Sequence, residues 1–217
     1  MRPTKSMKIV LNKVGRKFNY EWIFRDVDFE FESGHAYAIL GSNGSGKSTL
    51  LQIISGHLHP SAGTLHYSDG GKEIAIEDFF RFITFSGPYL ELIEEFTLEE
   101  MLTFHSKFRK FRNGLDVKGV MEAMELLRNK NKPIKYFSSG MKQRVRLAIA
   151  LLTESAVVLL DEPAANLDRK AIEWYRLLIS SNSENRIIIV CSNSQSDEHD
   201  FCSQSIVIDD YKKGNKK

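Results

Sequence analysis

The sequence predicts an α/β fold: a mostly parallel sheet, an N-terminal antiparallel β subdomain and a helical subdomain set into the core. Three observations lead there. Ala156–Leu160 and Ile187–Cys191 are apolar throughout, as strands buried on both faces of a parallel sheet are. The glycine-rich stretch Gly41–Gly46 lies between a buried strand and an amphipathic helix. From about residue 97 to residue 130 the spacing of apolar residues turns helical.

Taken in order, Ile9–Val14 and Asp26–Glu32 read as strands, the second alternating apolar and acidic side chains as a half-exposed antiparallel strand does. Glu32-Ser33-Gly34 is a turn, and His35–Leu40 is a buried strand. Lys47–Gly56 continues at helical period, with Leu50, Leu51, Ile53 and Ile54 apolar. Gly63–Tyr67 followed by Asp69-Gly70-Gly71 has hairpin character. Thr97-Leu98-Glu99-Glu100 is a capping box, ahead of helical patterns over Met101–Phe111 and Val117–Leu127. Ser138–Leu152 is a helix with a basic face. The chain is expected to be one domain over 1–217, with a core of about 8–85 and 153–210 around a helical subdomain of about 86–152.

Bulk properties narrow the function classes. A hydrophobic fraction of 42% and a charged fraction of 27% are those of a globular protein. The net charge of +2 gives no electrostatic case for a nucleic-acid partner. The C-terminal cations Lys212, Lys213, Lys216 and Lys217 read as a solvated end. Cys191 and Cys202 form neither a disulfide framework nor a metal knuckle, and Cys191, closing an apolar run, is expected to be a buried, inert thiol. No apolar stretch is long enough to span a bilayer, and Met1–Lys8 has no apolar core of a signal peptide. These features predict a cytoplasmic protein whose membrane part, if any, is another chain.

Gly41-Ser42-Asn43-Gly44-Ser45-Gly46-Lys47-Ser48 matches the phosphate-loop pattern G-x-x-x-x-G-K-[ST]. Its glycines let successive N–H groups turn inward on phosphates, and the helix that follows aims its positive end at the same place. Lys47 supplies a mobile charge for the β and γ oxygens, and the Ser48 hydroxyl can hold Mg²⁺. The fold class is therefore that of a P-loop nucleoside triphosphatase core. Asp161 and Glu162 follow the apolar run at the strand edge where α/β sheets bind ligands. Asp161 suits Mg²⁺, and Glu162 can orient or deprotonate a water attacking the γ-phosphate. A strand that simply ends in polar residues gives the same two acids, and these motifs alone also fit a kinase, a GTPase or a helicase fragment.

Phe137-Ser138-Ser139-Gly140-Met141-Lys142-Gln143-Arg144 resembles the signature sequence of ATP-binding cassette (ABC) proteins, usually L-S-G-G-Q, about twenty residues before the Asp161 strand. Ala165-Asn166-Leu167-Asp168 resembles that family's D-loop, and Phe18, or else Tyr20, stands at the aromatic position that stacks on adenine; a core-facing Phe18 is the alternative. The resemblance covers about Lys8 to Asp209. It implies ATP and Mg²⁺ as ligands, with Gly41–Thr49 holding the nucleotide and Ser138 and Gly140 of a second cassette, in a head-to-tail homodimer, capping it. It also implies an integral membrane permease docked on the helical subdomain, which would hold the chain peripherally on the inner face of the cell membrane. The S-S-G-M signature resembles those of exporters, so the expected function is an ATP-hydrolysing export subunit. The alternative is a non-transport nucleotide switch or a hydrolysis-impaired regulatory cassette.

Two positions depart from the family. The glutamine that closes the strand before the helical subdomain is missing from Phe82–Tyr89, where Ser86 is the nearest substitute for the metal site. The histidine expected after the last buried strand is Asn193, which can donate a hydrogen bond to phosphate but carries no charge. Slow turnover is therefore expected. His199 lies in Ser196-Asp197-Glu198-His199, which reads as a solvated helix start, and Glu91, Glu94 and Glu95 read as an interaction surface.

Overall fold

The computed structural model describes residues 6–193 and 196–212, so Met1–Lys5 and the tail cations Lys213, Lys216 and Lys217 lie outside the described residues. The chain opens with a long hairpin, β1 (Met7–Phe18) and β2 (Glu21–Glu32). Both strands outrun the segments their alternation predicts. Register shifts between Leu11 and Lys17, with Lys13 and Asp26 at positive φ, break the period-two pattern that marks a strand in sequence. The next strand, β3 (Ala36–Leu40), leads through the glycine-rich loop into α1 (Lys47–Ile54), which buries Leu50, Leu51, Ile53 and Ile54.

The expected second hairpin is present as β4 (Ala62–Asp69) and β5 (Lys72–Ile74), turned by Gly70 and Gly71 at φ 57° and 79°. Positive φ at both central residues is what a tight hairpin turn requires. A short helix, α2 (Ile76–Phe79), and β6 (Ile83–Ser86) return the chain to the core. Helix α3 (Leu98–Ser106) starts on the predicted capping box: Thr97 Oγ1 accepts from Glu100 N at 3.2 Å, and Glu100 Oε2 accepts from Thr97 N at 2.8 Å. It stops before Phe111, because Phe111 is drawn into an extended bridge with Thr153. Helix α4 (Val117–Ala123) likewise ends early, ahead of Glu125 at φ 58°.

Helix α5 (Ser139–Leu152) runs from the signature segment back to the core strand β7 (Val157–Asp161). Then comes α6 (Arg169–Ser180), capped by Asp168, whose Oδ1 accepts from Ala171 N at 2.8 Å. This helix is not among the elements expected above, although Ala171, Trp174, Tyr175, Leu178 and Ile179 recur at helical period and are all buried. Strand β8 (Ile187–Ser192), helix α7 (Ser196–His199), strand β9 (Gln204–Val207) and a 3-10 turn (Ile208–Tyr211) follow. The antiparallel sheet has the order β2-β1-β4-β5, and the five-stranded parallel sheet β6-β7-β8-β3-β9. One hydrophobic cluster joins α1 to both sheets, and a second joins α3–α6 to the other face of the parallel sheet. Among the described residues no helix is long and apolar enough to cross a membrane.

Candidate nucleotide-binding site

The loop Gly41–Gly46 leaves the C-terminal end of β3 and feeds α1. Gly46 needs its glycine: φ is 106°, and a Cβ there would lie 2.5 Å from Ile23 Cγ2 and 3.0 Å from the Phe24 ring of β2. Lys47 is buried and folds back, donating to the carbonyls of Gly41 at 2.9 Å and Ser42 at 3.0 Å. Ser42, Asn43 and Gly44 are exposed at the loop crest, Ser45 is buried beneath it, and Ser48 and Thr49 are half-buried in the first turn of α1.

Asp161 lies across from this loop, at the end of β7 and paired in register with Cys191 of β8. Asp161 is 3% exposed. Burial raises its pKa above the ordinary value, against the lowering pull of Ser48 and Lys47. Ser86, at the end of the neighbouring β6, pairs with Leu160 in register and is 1% exposed. Asp161 Oδ1, Ser86 Oγ and Ser45 Oγ are buried with no hydrogen-bond partner. Unsatisfied buried oxygens are rare and costly; here one lies in the phosphate loop and two stand at the ends of the adjacent strands β6 and β7. A carboxylate with hydroxyls is the hard oxygen set that Mg²⁺ takes when phosphates supply further ligands, so these residues fit the ion.

Glu162 follows at φ 48°, a left-handed conformation that costs a non-glycine residue about 1–3 kcal/mol. Its N–H is held by the Cys191 carbonyl at 3.0 Å. The two strand ends thus fix where this carboxylate starts. Asn193 follows β8, and its Nδ2 donates to Asn43 Oδ1 at 3.4 Å, so that position does reach the phosphate loop. Cys191 is fully buried, and desolvation pushes its thiol well above the ordinary range, in line with an inert role.

Glu198 corrects the sequence reading. It is 2% exposed rather than solvated, accepts from Ala164 N at 3.1 Å and bonds the Ser192 hydroxyl. It thereby ties the end of β8 to the loop after Glu162. Gln143 was also passed over: it is buried on α5 and donates to the Pro163 carbonyl at 3.0 Å. A polar residue on the buried stripe of a helix was the available signal for it.

Ser138 caps α5, accepting from Met141 N at 3.2 Å, which leaves its hydroxyl hydrogen free to donate elsewhere. Gly140 packs on the Ala165–Asp168 segment, where a Cβ would come 3.0 Å from Asn166 O. Among the described residues, no hydrogen bond joins Ser138 or Gly140 to the phosphate loop of the same chain. Phe18 lies at the β1–β2 turn, 49% exposed with the Arg16 guanidinium 4.7 Å from its ring centre, so the core-facing alternative fails; Tyr20 is 98% exposed.

A cavity of about 580 Å³ opens beside the site, between α1, β6 and the segment after Ser86. Its wall includes Asp161 and the exposed apolar residues Ile76, Phe80, Tyr89 and Leu90. That segment is fastened to α5, with Leu90 O accepting from Arg146 Nε at 2.9 Å and Glu94 paired with Lys142 at 2.5 Å. Glu94 is therefore engaged inside the chain rather than left free for a partner.

Residues 24–165 match the ABC transporter family. A curated relative, the cytochrome c biogenesis ATP-binding export protein of Rhizobium meliloti, is 30% identical over 87% of this chain and 92% of its own length. The arabinose import ATP-binding protein of Pectobacterium atrosepticum is 29% identical over 83% of this chain, which spans 37% of that protein's length. Among solved structures, a putative ABC transporter ATP-binding protein from Pyrococcus furiosus superposes with TM-score 0.79 at 22% identity, covering 94% of this chain and 99% of its own. A dimeric ATP-binding cassette in a post-hydrolysis state with ADP and Pi gives 0.76 at 23% identity, covering 93% and 95%. At these identities the structures speak for the fold.

Proposed function

Because the chain belongs to the ABC transporter family, as an ATP-binding subunit, we propose that it binds and slowly hydrolyses ATP to drive export through a separate permease. The observation that carries the reading is the pair of unpartnered buried oxygens on Asp161 and Ser86, at the ends of the adjacent strands β7 and β6. A divalent cation answers both.

In this reading the loop amides of Gly41–Thr49 hold the phosphates, and Lys47 exchanges the Gly41 and Ser42 carbonyls for the β and γ oxygens. Phe18 offers its exposed ring to adenine. Ser48, Asp161 and Ser86 would hold Mg²⁺, which when bound neutralises charge developing on the transferred phosphoryl group. Glu162 orients the attacking water, and Asn193 donates to the γ-phosphate. Ser138, with its hydroxyl hydrogen free, and Gly140 of a second copy close the site head to tail. The apolar groove of Phe80, Tyr89 and Leu90 receives the permease, and its fastening to α5 would carry movement to the signature. Export is favoured by a relative that covers 87% of this chain and 92% of its own length, an export protein by name.

Steady-state ATP hydrolysis by the purified chain, compared with Glu162→Gln, tests the proposal. Slow hydrolysis that the substitution abolishes is expected. Equal rates would remove Glu162 from the chemistry, and a brisk rate like that of ordinary cassettes would refute slow turnover.

A further inference from the structure

We propose that Asp209, in the turn after β9, is a positioning residue for the nucleotide, holding the Gly41–Ser42 peptide in place while the phosphates compete for Lys47. The inference rests on the ATP-binding reading above. No motif points to Asp209; only the fold brings it to the loop.

In the nucleotide-free chain that peptide unit is held from both sides. Its carbonyl, Gly41 O, accepts from Lys47 Nζ at 2.9 Å, and its N–H, on Ser42, donates to Asp209 Oδ2 at 3.0 Å. The Ser42 hydroxyl donates to Asp209 Oδ1 at 3.3 Å, and Lys212 Nζ donates to the same oxygen at 2.6 Å. Ile208 and Asp209 also crowd Gly41, where a Cβ would meet Ile208 Cγ2 at 2.7 Å and Asp209 Oδ2 at 3.0 Å. The Lys212 contact, followed by the Ser42 N–H bond, holds the Asp209 carboxyl below its ordinary pKa, so it is ionised at neutral pH.

Lys47 Nζ has three N–H donors and gives two of them to the loop carbonyls, so phosphate oxygens compete for that hold. As they draw Lys47 away, the carbonyl side of the peptide is held less firmly, and Asp209 remains as the anchor. A glycine at this position offers little resistance to a peptide flip. A flipped Gly41–Ser42 unit would set its carbonyl against the Asp209 carboxylate, so this acid resists the flip by repulsion as well as by its bond to the N–H. A carboxylate this close to a triphosphate would ordinarily repel it, and Lys212 offsets that charge.

The test is titration of the full chain with a fluorescent ATP analogue, alongside hydrolysis and thermal unfolding, for Asp209→Ala, Asp209→Asn, Ser42→Ala and Lys47→Ala. Asp209→Ala is expected to weaken nucleotide binding about tenfold or more, with kcat at saturation within about twofold and an unchanged melting temperature without nucleotide. Asp209→Asn, whose amide oxygen still accepts the Ser42 N–H, should recover most of the affinity, and Ser42→Ala, which keeps that N–H, should lose little. Wild-type affinity in Asp209→Ala, with Lys47→Ala abolishing binding, would overturn this proposal alone. Equal losses in the Ala and Asn variants with a lowered melting temperature would also overturn it. A wild-type chain that binds no nucleotide would overturn the parent reading with it.

Discussion

Asn193 Nδ2 donates to Asn43 Oδ1 at 3.4 Å, joining the end of β8 to the crest of the phosphate loop. In the proposed function an amide thus stands where it would donate to the γ-phosphate without bringing charge. Asn193→His adds a group able to carry that charge and is expected to raise kcat; a transition-state donor is worth about 10²–10³ in rate, which bounds the gain. Asn193→Ala should lower kcat below wild type while leaving nucleotide affinity nearly unchanged. Steady-state kinetics on the three proteins checks both directions.

Asp161→Asn should separate stability from activity. Burial raises the Asp161 pKa, so its charged form is disfavoured in the folded chain. Folding stability associated with this group is therefore lost as pH rises through its folded pKa, and at neutral pH the empty site bears the cost. The neutral amide removes it. The nucleotide-free variant should melt higher by about 2–4 °C, the shift that ~1 kcal/mol gives in a domain of this size, while Mg²⁺-dependent hydrolysis disappears. Calorimetry with and without Mg²⁺ and ATP reads both effects.

Arg186 should be far less tolerant. Its guanidinium is buried and donates to the carbonyls of Leu151, Thr153, Ser155 and Asn182, binding the end of α5 to β7 and α6. Arg186→Ala leaves these acceptors without partners, and a loss of about 3 kcal/mol or more is expected in denaturant unfolding. Arg186→Lys should rescue little, since an ammonium cannot span the same fork.

At Gly140 two effects oppose. Alanine gains roughly 1 kcal/mol of helix propensity over glycine, but its Cβ would press on Asn166 O at 3.0 Å. Gly140→Ala should leave thermal stability almost unchanged and weaken ATP-dependent association, because the Ala165–Asp168 segment must shift. Melting curves and sedimentation with Mg-ATP separate these outcomes.

The fold was legible where burial is uniform. β7 and β8, apolar on both faces, stood out in the sequence, as did the capping box at Thr97. The outer half of the β1–β2 hairpin did not, since its bulges break the alternation. The phosphate loop and the Asp161–Glu162 pair are contiguous, and contiguous chemistry can be read from spacing alone. Glu198, Gln143 and Asp209 act through contacts between distant elements, and no local pattern announces them. Glu198 was misread as solvated because its neighbours are polar, although its own carboxylate is turned inward.

The central claim is that the phosphate loop of one copy is completed by Ser138 and Gly140 of another. Sedimentation equilibrium of Glu162→Gln, which should bind ATP without turning it over, tests this most directly. The account predicts a monomer without nucleotide, twice that mass with Mg-ATP, and no such change when Ser138→Arg is added. A mass that ignores Mg-ATP, or a dimer that survives Ser138→Arg, would contradict it.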